Sequence, residues 1–317
     1  MTKTALISGV SGQDGAYLAR MLIEKGMSVV GASRDAQGSN FYNLERLGIK
    51  DKISTVSMMP EDFRSVLVAF SECQPDEIYF LAGQSSVGLS FSHPAETIQS
   101  ILLGTLNALE AVRMLDKQPR IYFAGSGEVF GDTSAGAACE TTNFQPKSPY
   151  AVAKASAFWL VDNYRDAYGV FACTGILFNH ESSLRPERFV TKKIISAAAR
   201  IAAGSKEVLE LGRLDISRDW GWAPEYVEAM WLMLQQDHPE DFVISTGLAS
   251  SLESFVSEAF ASHRMNWKDH VKQNKALMRP ADALLSYGDS SKAWNKLGWK
   301  AQSSMTDVVR MMVENKL

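Results

Sequence analysis

Over the first 125 residues, short apolar runs rich in β-branched and aromatic side chains alternate with longer stretches whose apolar positions recur at helical spacing. Thr4–Ser8, Ser28–Ala32, Ile53–Met58, Glu77–Leu81 and Arg120–Ala124 read as strands, and Ala16–Lys25, Glu61–Glu72 and Pro94–Leu115 as helices. Strand, helix and strand at this spacing predict βαβ units and a parallel sheet. Pro149, a favoured first-turn residue, opens a helical pattern that runs to Tyr168, and a buried strand is predicted at Cys173–Asn179. Beyond it the pattern loosens into helices near Val190–Ala203, Pro224–Gln236, Ser251–His263 and Met305–Asn315, with short strands near Val208–Leu211 and Asp241–Ser245. This reads as a smaller mixed lobe. No repeat or Gly/Ser linker separates the two parts, so they are expected to pack closely around a ligand cleft.

Composition narrows the function class. The 317 residues are 46% hydrophobic and 21% charged, and 32 Lys and Arg stand against 36 Asp and Glu, for a net charge of −4. Neither sign forms a long block, so no nucleic-acid or membrane-surface partner is expected. The weakly charged stretch Ile78–Thr97 carries too many polar residues for a membrane span, and the first residues read as a strand rather than a secretory leader. Cys73, Cys139 and Cys173 are odd in number and widely spaced, which argues against a disulfide framework or a structural zinc site. The expectation is a cytoplasmic small-molecule enzyme with no metal.

Two motifs carry chemistry. Gly9-Val10-Ser11-Gly12-Gln13-Asp14-Gly15 lies between the first strand and the first helix, the order in which such glycines let a backbone approach a pyrophosphate held at a helix N-terminus. Glycines in such a turn can also serve packing alone. Tyr150 and Lys154, at i,i+4 spacing near the start of the long helix, place a phenol and an ammonium on one face. A free tyrosine is a poor base near neutral pH unless a cation stabilises its phenolate, which Lys154 can do. Ser126 and Glu128 follow the strand Arg120–Ala124 and are expected at the carboxyl edge of the sheet, where such folds bind ligands.

With these motifs the chain resembles the extended short-chain dehydrogenase/reductase superfamily and, within it, the GDP-mannose 4,6-dehydratase family. The resemblance extends to Leu-Ala-Gly-Gln-Ser at 81–85, Gly-Ile-Leu-Phe-Asn-His-Glu-Ser at 175–182, Phe-Val-Thr-Lys-Lys at 189–193, Arg-Asp-Trp-Gly at 218–221 and Met-Arg-Pro-Ala at 278–281. It implies an α/β fold: a Rossmann-like doubly wound parallel sheet with a smaller mixed α/β C-terminal substrate lobe. The dinucleotide core would span 1–175, with later segments near 213–245 interleaved, and 176–317 would mainly bind the nucleotide sugar. The implied reaction is a redox-neutral elimination on a GDP-sugar, with NADP as cofactor and NAD as the alternative. Tyr150 would take the O4 proton while hydride leaves C4, Lys154 would hold the ribose, Ser126 would polarise the 4-oxygen, and Glu128 would move the C5 and C6 protons. Gly9, Ser11, Gly12, Gln13, Asp14, Gly15, Arg34, Leu81, Ala82 and His180 would complete the cofactor site. Ser85, Asn179 and Glu181 would face the hexose, and Lys193, Arg218 and Arg279 the diphosphate and nucleotide. Relatives of this kind form dimers or tetramers.

Four segments depart from the family pattern. Paired arginines after the second strand become Ser33-Arg34-Asp35-Ala36-Gln37-Gly38, where Asp35 would repel a 2′-phosphate if it pointed inward. An acidic residue expected near the adenine falls within Met58–Asp62, with Asp62 as its stand-in. The usual Thr-Ser-Glu becomes Ser126-Gly127-Glu128, which adds backbone freedom, and Glu181-Ser182-Ser183-Leu184-Arg185-Pro186 replaces a Pro- and Gly-containing run beside the sugar pocket. The sugar is therefore mannose or a close analogue such as a manno-heptose. A 4-reductase or epimerase of the same fold, or a silent nucleotide-sugar sensor, is the rival reading.

Overall fold

A computed structural model describes residues 2–317. Thirteen strands alternate with twelve helices among these residues. The strands are β1 Thr4–Ser8, β2 Ser28–Ser33, β3 Ser54–Ser57, β4 Glu77–Phe80, β5 Arg120–Ala124, β6 Ala172–Leu177, β7 Asn179–Glu181, β8 Leu209–Leu211, β9 Ser217–Trp222, β10 Phe242–Ile244, β11 Ala249–Ser251, β12 Val271–Gln273 and β13 Leu285–Ser286. The helices are α1 Gln13–Glu24, α2 Tyr42–Arg46, α3 Phe63–Cys73, α4 Val87–Ser92, α5 Pro94–Ile98, α6 Gly104–Met114, α7 Pro149–Tyr168, α8 Val190–Ala202, α9 Ala223–Leu234, α10 Leu252–Ala261, α11 Ser291–Leu297 and α12 Met305–Val313.

Seven parallel strands form one sheet in the order β10-β6-β5-β4-β1-β2-β3. Leu6 of β1 sits between Val30 of β2 and Ile78 of β4, and every residue of β4 and β6 is buried. Strands covered on both faces carry mostly apolar runs, which is why they were readable as short runs rather than alternations. On one face α1 and α9 bury Tyr17, Leu18, Tyr226 and Met230; on the other α3, α6 and α7 bury Phe70, Leu109, Val112 and Val161. The strand order reverses between β1 and β4, and the crevice at their carboxyl ends is where such sheets hold ligands.

The expected doubly wound sheet is present, with local differences. The helix expected over Pro94–Leu115 is interrupted by one π-helical turn at Gln99–Leu103. The strand expected over Cys173–Asn179 breaks at Phe178, and β7 leaves the main sheet to pair with β9. Phe242–Ile244 returns to the main sheet beside β6. A second layer of β7, β9, β11 and β13 packs on α8, α10 and α12 around Ile194, Trp220, Phe255 and Val308.

Candidate active site

The turn after β1 is closed in a way that requires glycine. A Cβ on Gly15 would stand 2.7 Å from the Cα of Val10 and would overlap the Gly9 carbonyl oxygen, while Gly9 itself adopts φ +83°. Gly12 stands at the N-cap of α1, so no cap side chain occupies the first-turn N–H groups, the arrangement that suits an anion. Asn43 of α2 braces the turn by donating to the Ser11 carbonyl at 2.9 Å.

Gln13 and Asp14 do not cap the helix; they reach across to the segment after β6. The Gln13 amide donates to the His180 carbonyl at 3.2 Å and accepts from Ser182 at 2.8 Å. Asp14 pairs with His180 at 3.1 Å. Burial works against the Asp14 charge, but the His180 charge and hydrogen bond outweigh it, and the carboxyl is held at about 2. The His180 pKa is raised, because Asp14 and the Phe178 carbonyl, 2.7 Å from Nδ1, overcome burial. Both ring nitrogens face acceptors, and the ring stacks on Tyr226 at 4.5 Å.

Arg34 is exposed at the end of β2. The Asp35 carboxylate does not oppose it inward: it accepts from the N–H groups of Gln37 at 3.1 Å and Gly38 at 2.8 Å, closing its own turn. Asp62 caps α3 through the Ser65 N–H at 3.1 Å. Leu81 and Ala82 follow β4 against the glycine turn, where a Cβ on Gly9 would stand 3.1 Å from the Ala82 nitrogen. This cradle, with open N–H groups, a glycine-only turn and an uncommitted cation beyond β2, fits a dinucleotide.

Ser126, Glu128, Tyr150 and Lys154 line one cleft of about 400 Å³, together with Asp14, Leu81, Ser85, Asn179, His180, Glu181, Lys193, Arg218 and Arg279. Gly9, Ser11, Gly12, Gln13, Gly15, Arg34 and Ala82 lie outside its walls. Ser148 and Pro149 start α7, which presents Tyr150 and Lys154 in its first two turns. Burial pushes the Tyr150 phenol up to about 12; the hydrogen-bonded Ser126 hydroxyl opposes this and the Glu128 charge adds to it. Burial lowers Lys154 to about 8, and its ammonium donates to the Ala124 carbonyl at 2.7 Å. Hydroxyl, carboxylate, phenol and ammonium at one wall form an acid–base set.

Gly127 has a different role from the freedom expected of it. A Cβ there would meet the Phe178 ring at 2.9 Å, so the glycine makes room for that ring directly under the catalytic turn. The Glu128 N–H donates to the Ser126 hydroxyl at 3.3 Å within the short 3₁₀ turn Gly127–Phe130.

The cations at the far end are partly committed. Arg218, 3% exposed, binds Asp282 at 2.5 Å and the carbonyls of Ser217 and Ala283 at 2.9 and 3.0 Å. Arg279 stands 3.5 Å from the same Asp282 oxygen, and Lys193 donates to the Glu210 carbonyl at 2.7 Å. Glu181 is buried; it accepts from Thr191 at 2.7 Å and pairs with Arg185 at 3.0 Å. Sequence reasoning missed Arg185 and Asp282 as partners. Their spacings, four residues after Glu181 and three after Arg279, were the available signals.

Solved structures share this fold. The chain superposes with TM-score 0.87 on a UDP-glucose 4-epimerase from Thermotoga maritima solved with UDP-glucose, at 23% identity and 98% coverage of each chain. DesIV, a dTDP-glucose 4,6-dehydratase from Streptomyces venezuelae solved with NAD and TYD, gives TM-score 0.87 at 20% identity, covering 99% of this chain and 98% of that one. RMD from Pseudomonas aeruginosa, solved with NADPH, gives 0.82 at 22%, covering 99% and 97%. In sequence, GDP-mannose 4,6 dehydratase 1 of Arabidopsis thaliana is 42% identical over 99% of this chain and 90% of that protein. GDP-mannose 4,6-dehydratase of Sinorhizobium fredii (strain HH103) is also 42% identical, over 99% and 97%. The pattern of the GDP-mannose 4,6 dehydratase family matches residues 6–312, and the chain belongs to that family.

Proposed function

We propose that the protein is an NADP-dependent GDP-mannose 4,6-dehydratase, converting GDP-mannose or a close analogue to a GDP-4-keto-6-deoxy sugar with loss of water. The observation that carries this reading is the presence of Glu128 on the same cleft wall as Tyr150 and Lys154. A reductase or epimerase needs the phenol and ammonium but has no use for a carboxylate acting at C5 and C6.

A bound nicotinamide cofactor, held by the glycine turn and α1, would supply a reversible hydride acceptor, so that no net oxidation would occur. The chain's residues handle the protons. Tyr150 takes the proton from O4, with Lys154 favouring the phenolate and Ser126 holding the 4-oxygen. The resulting ketone acidifies the C5 hydrogen; Glu128 removes it and protonates the hydroxyl leaving C6, and the proton that Tyr150 took from O4 balances the one C5 regains when C6 is reduced. The glycine turn and α1 hold the pyrophosphate of the cofactor, and Arg34, with Asp35 turned away, favours a 2′-phosphate and hence NADP over NAD. Ser85 and Asn179 face the hexose, Glu181 orients Arg185, and Lys193, Arg218 and Arg279 take the diphosphate and nucleotide. In this reading residues 1–175, with the segment returning near 213–245, hold the dinucleotide, and 176–317 mainly hold the sugar nucleotide.

Among the described residues no helix is long and apolar enough to cross a membrane; a cytoplasmic enzyme acting on a soluble nucleotide sugar fits that. Ile98, Leu103, Val152 and the 59%-exposed Trp159 stand out from the packed helices α5–α7 and their π turn, which favours a second copy covering this face in a homodimer or a larger even assembly.

Incubation of the purified protein with GDP-mannose, and separately with GDP-manno-heptose, tests the reaction by product mass and nicotinamide absorbance together. Loss of one water with no net cofactor turnover is expected. Net NADPH consumption without water loss would instead identify a reductase, and inversion at C4 without mass change an epimerase.

A further inference from the structure

The segment that carries Glu128 and the segment that carries the diphosphate arginines are far apart in sequence, yet they are tied together by hydrogen bonds centred on Asp132. Its Oδ2 accepts from the Leu284 N–H at 2.8 Å and the Leu285 N–H at 3.2 Å. Its Oδ1 accepts from the Ser134 N–H at 2.9 Å and from the Ser134 hydroxyl. These donors hold the Asp132 carboxyl at about 2, so it stays charged over the whole working range.

On both sides the bridge leads directly to the chemistry. Toward the reacting carbon, Asp132 follows Gly131, whose N–H donates to the Glu128 carbonyl at 3.2 Å and whose φ of +70° sets the exit from the catalytic turn. Val129 accepts from Gln145 at 2.8 Å, which leaves that turn little room to slide. Toward the diphosphate, Leu284 accepts from the Ser217 N–H at 2.7 Å, and β13 pairs Ser286 with Arg218. Ala283 and Asp282, immediately before Leu284, hold the Arg218 guanidinium. Main-chain bonds from Thr133 to Leu285 at 2.9 Å and from Ala138 to Tyr287 at 3.1 Å extend the tie on its far side.

We infer that Asp132 is a positioning residue that fixes the spacing between Glu128 and the Arg218–Arg279–Asp282 clamp, so that a nucleotide sugar anchored by its diphosphate presents its C5 hydrogen to the carboxylate. The inference rests on the dehydratase reading for its catalytic consequence. Its structural content, coupling between the nucleotide clamp and the catalytic turn, stands apart from that reading. The two ligand ends are gripped by different lobes, and a chain whose lobes could slip against each other would bind the nucleotide while leaving the reacting carbon out of line. Oxidation at C4 depends on Tyr150 and Lys154 of α7, which the bridge does not touch. Proton removal at C5 depends on Glu128, which it does.

The test compares Asp132→Asn with Ser134→Ala, the latter removing only bonds internal to the turn. In Asp132→Asn an amide N–H₂ faces main-chain N–H donors. The expected result is a fall of about tenfold in the rate of water loss, the size that small misplacement of a reacting group produces. GDP and NADPH affinities should stay within about twofold, since Asp132 does not line the cleft, and reduced nicotinamide should accumulate during a single turnover because C4 oxidation outruns C5 proton removal. Ser134→Ala should match the unchanged protein. A loss of activity in Asp132→Asn that merely follows the folded fraction, with no build-up of reduced nicotinamide, would overturn the inference.

Hydrogen exchange with GDP alone supplies a readout free of turnover. GDP should protect the amides of 127–133 as well as those of 217–218 in the unchanged protein, and only the latter in Asp132→Asn. Protection confined to 217–218 in both proteins would overturn the coupling. If exchange shows the coupling but GDP-mannose is not dehydrated, the proposed reaction fails and the bridge stands.

Discussion

Asp14 and His180, 166 residues apart in the chain, form a 3.1 Å pair that joins the glycine turn to β7. Each ring nitrogen of His180 faces an acceptor, the Phe178 carbonyl or the Asp14 carboxylate, and its face is covered by Tyr226. The ring ties the two segments together.

This pair has a pH signature. The His180 pKa is raised, so its contribution to stability is complete below the unfolded histidine value near 6.5 and is lost as pH climbs through the folded value. Asp14 is lowered to about 2, so its contribution is complete above the unfolded value of 3.8 and is lost as pH falls toward 2. The thermal midpoint should be highest between about pH 4 and 6.5 as far as this pair is concerned. Asp14→Asn should flatten the decline above that window and remove about 2 kcal/mol inside it. An unchanged pH dependence in Asp14→Asn would show that the pair contributes nothing.

Under the proposed mechanism Tyr150 and Lys154 should set the rate profile. With Lys154 near 8 and Tyr150 near 12 in the buried cleft, the ammonium is the first of the two to lose its proton, at about 8, and with it goes the cation that would support a phenolate. Plotted against pH, kcat/KM should fall as pH rises through about 8. Lys154→Met should remove the transition near 8 and lower kcat/KM at pH 7 by about 10²- to 10⁴-fold. A profile in Lys154→Met that still turns near 8 would assign the titration to another group.

Replacing the carboxylate should separate binding from elimination. Glu128→Gln is expected to slow water loss by about 10²- to 10⁴-fold with NADPH affinity unchanged, as read by product mass and cofactor titration. Near-normal dehydration by this variant would remove Glu128 from the mechanism.

Gly127 tests packing under the site. Because a Cβ there would press on the Phe178 ring at 2.9 Å, Gly127→Ser should destabilise the protein by about 1–3 kcal/mol in denaturant unfolding, and Phe178→Leu in the same chain should recover part of it. If Gly127→Ser unfolds at the same denaturant concentration as the parent, the ring yields without cost.

The proposed role of Arg34, binding a 2′-phosphate, can be tested directly. Arg34→Ser should weaken NADPH binding by about 10- to 100-fold, the size of a lost charge-assisted contact, and leave NADH binding unchanged. Equal losses for both nucleotides in fluorescence titration would place Arg34 against something other than the 2′-phosphate.

What the sequence determined by itself was local. Pro149 and the run to Tyr168 delimit α7 because a helix closes its own hydrogen bonds within a few residues, and the glycine turn is legible because only a residue without Cβ fits between Gly9 and Val10. The central strands were legible because burial on both faces leaves them mostly apolar, Glu77 and Thr174 apart. Tertiary structure decided the rest. The strand Ser217–Trp222 contains Arg218 and Asp219, polar residues that are buried only because Asp282 and the N–H groups of Thr246 and Gly247 arrive from elsewhere in the chain. No periodicity signals such a strand. The same holds for Gly127, whose need for glycine comes from a ring 51 residues away, and for Asp132, an ordinary turn residue until residues 284–285 bring it their N–H groups. Hydrogen bonds and packing between distant segments depend on where the whole chain places them, and that placement turned the motifs into one cleft.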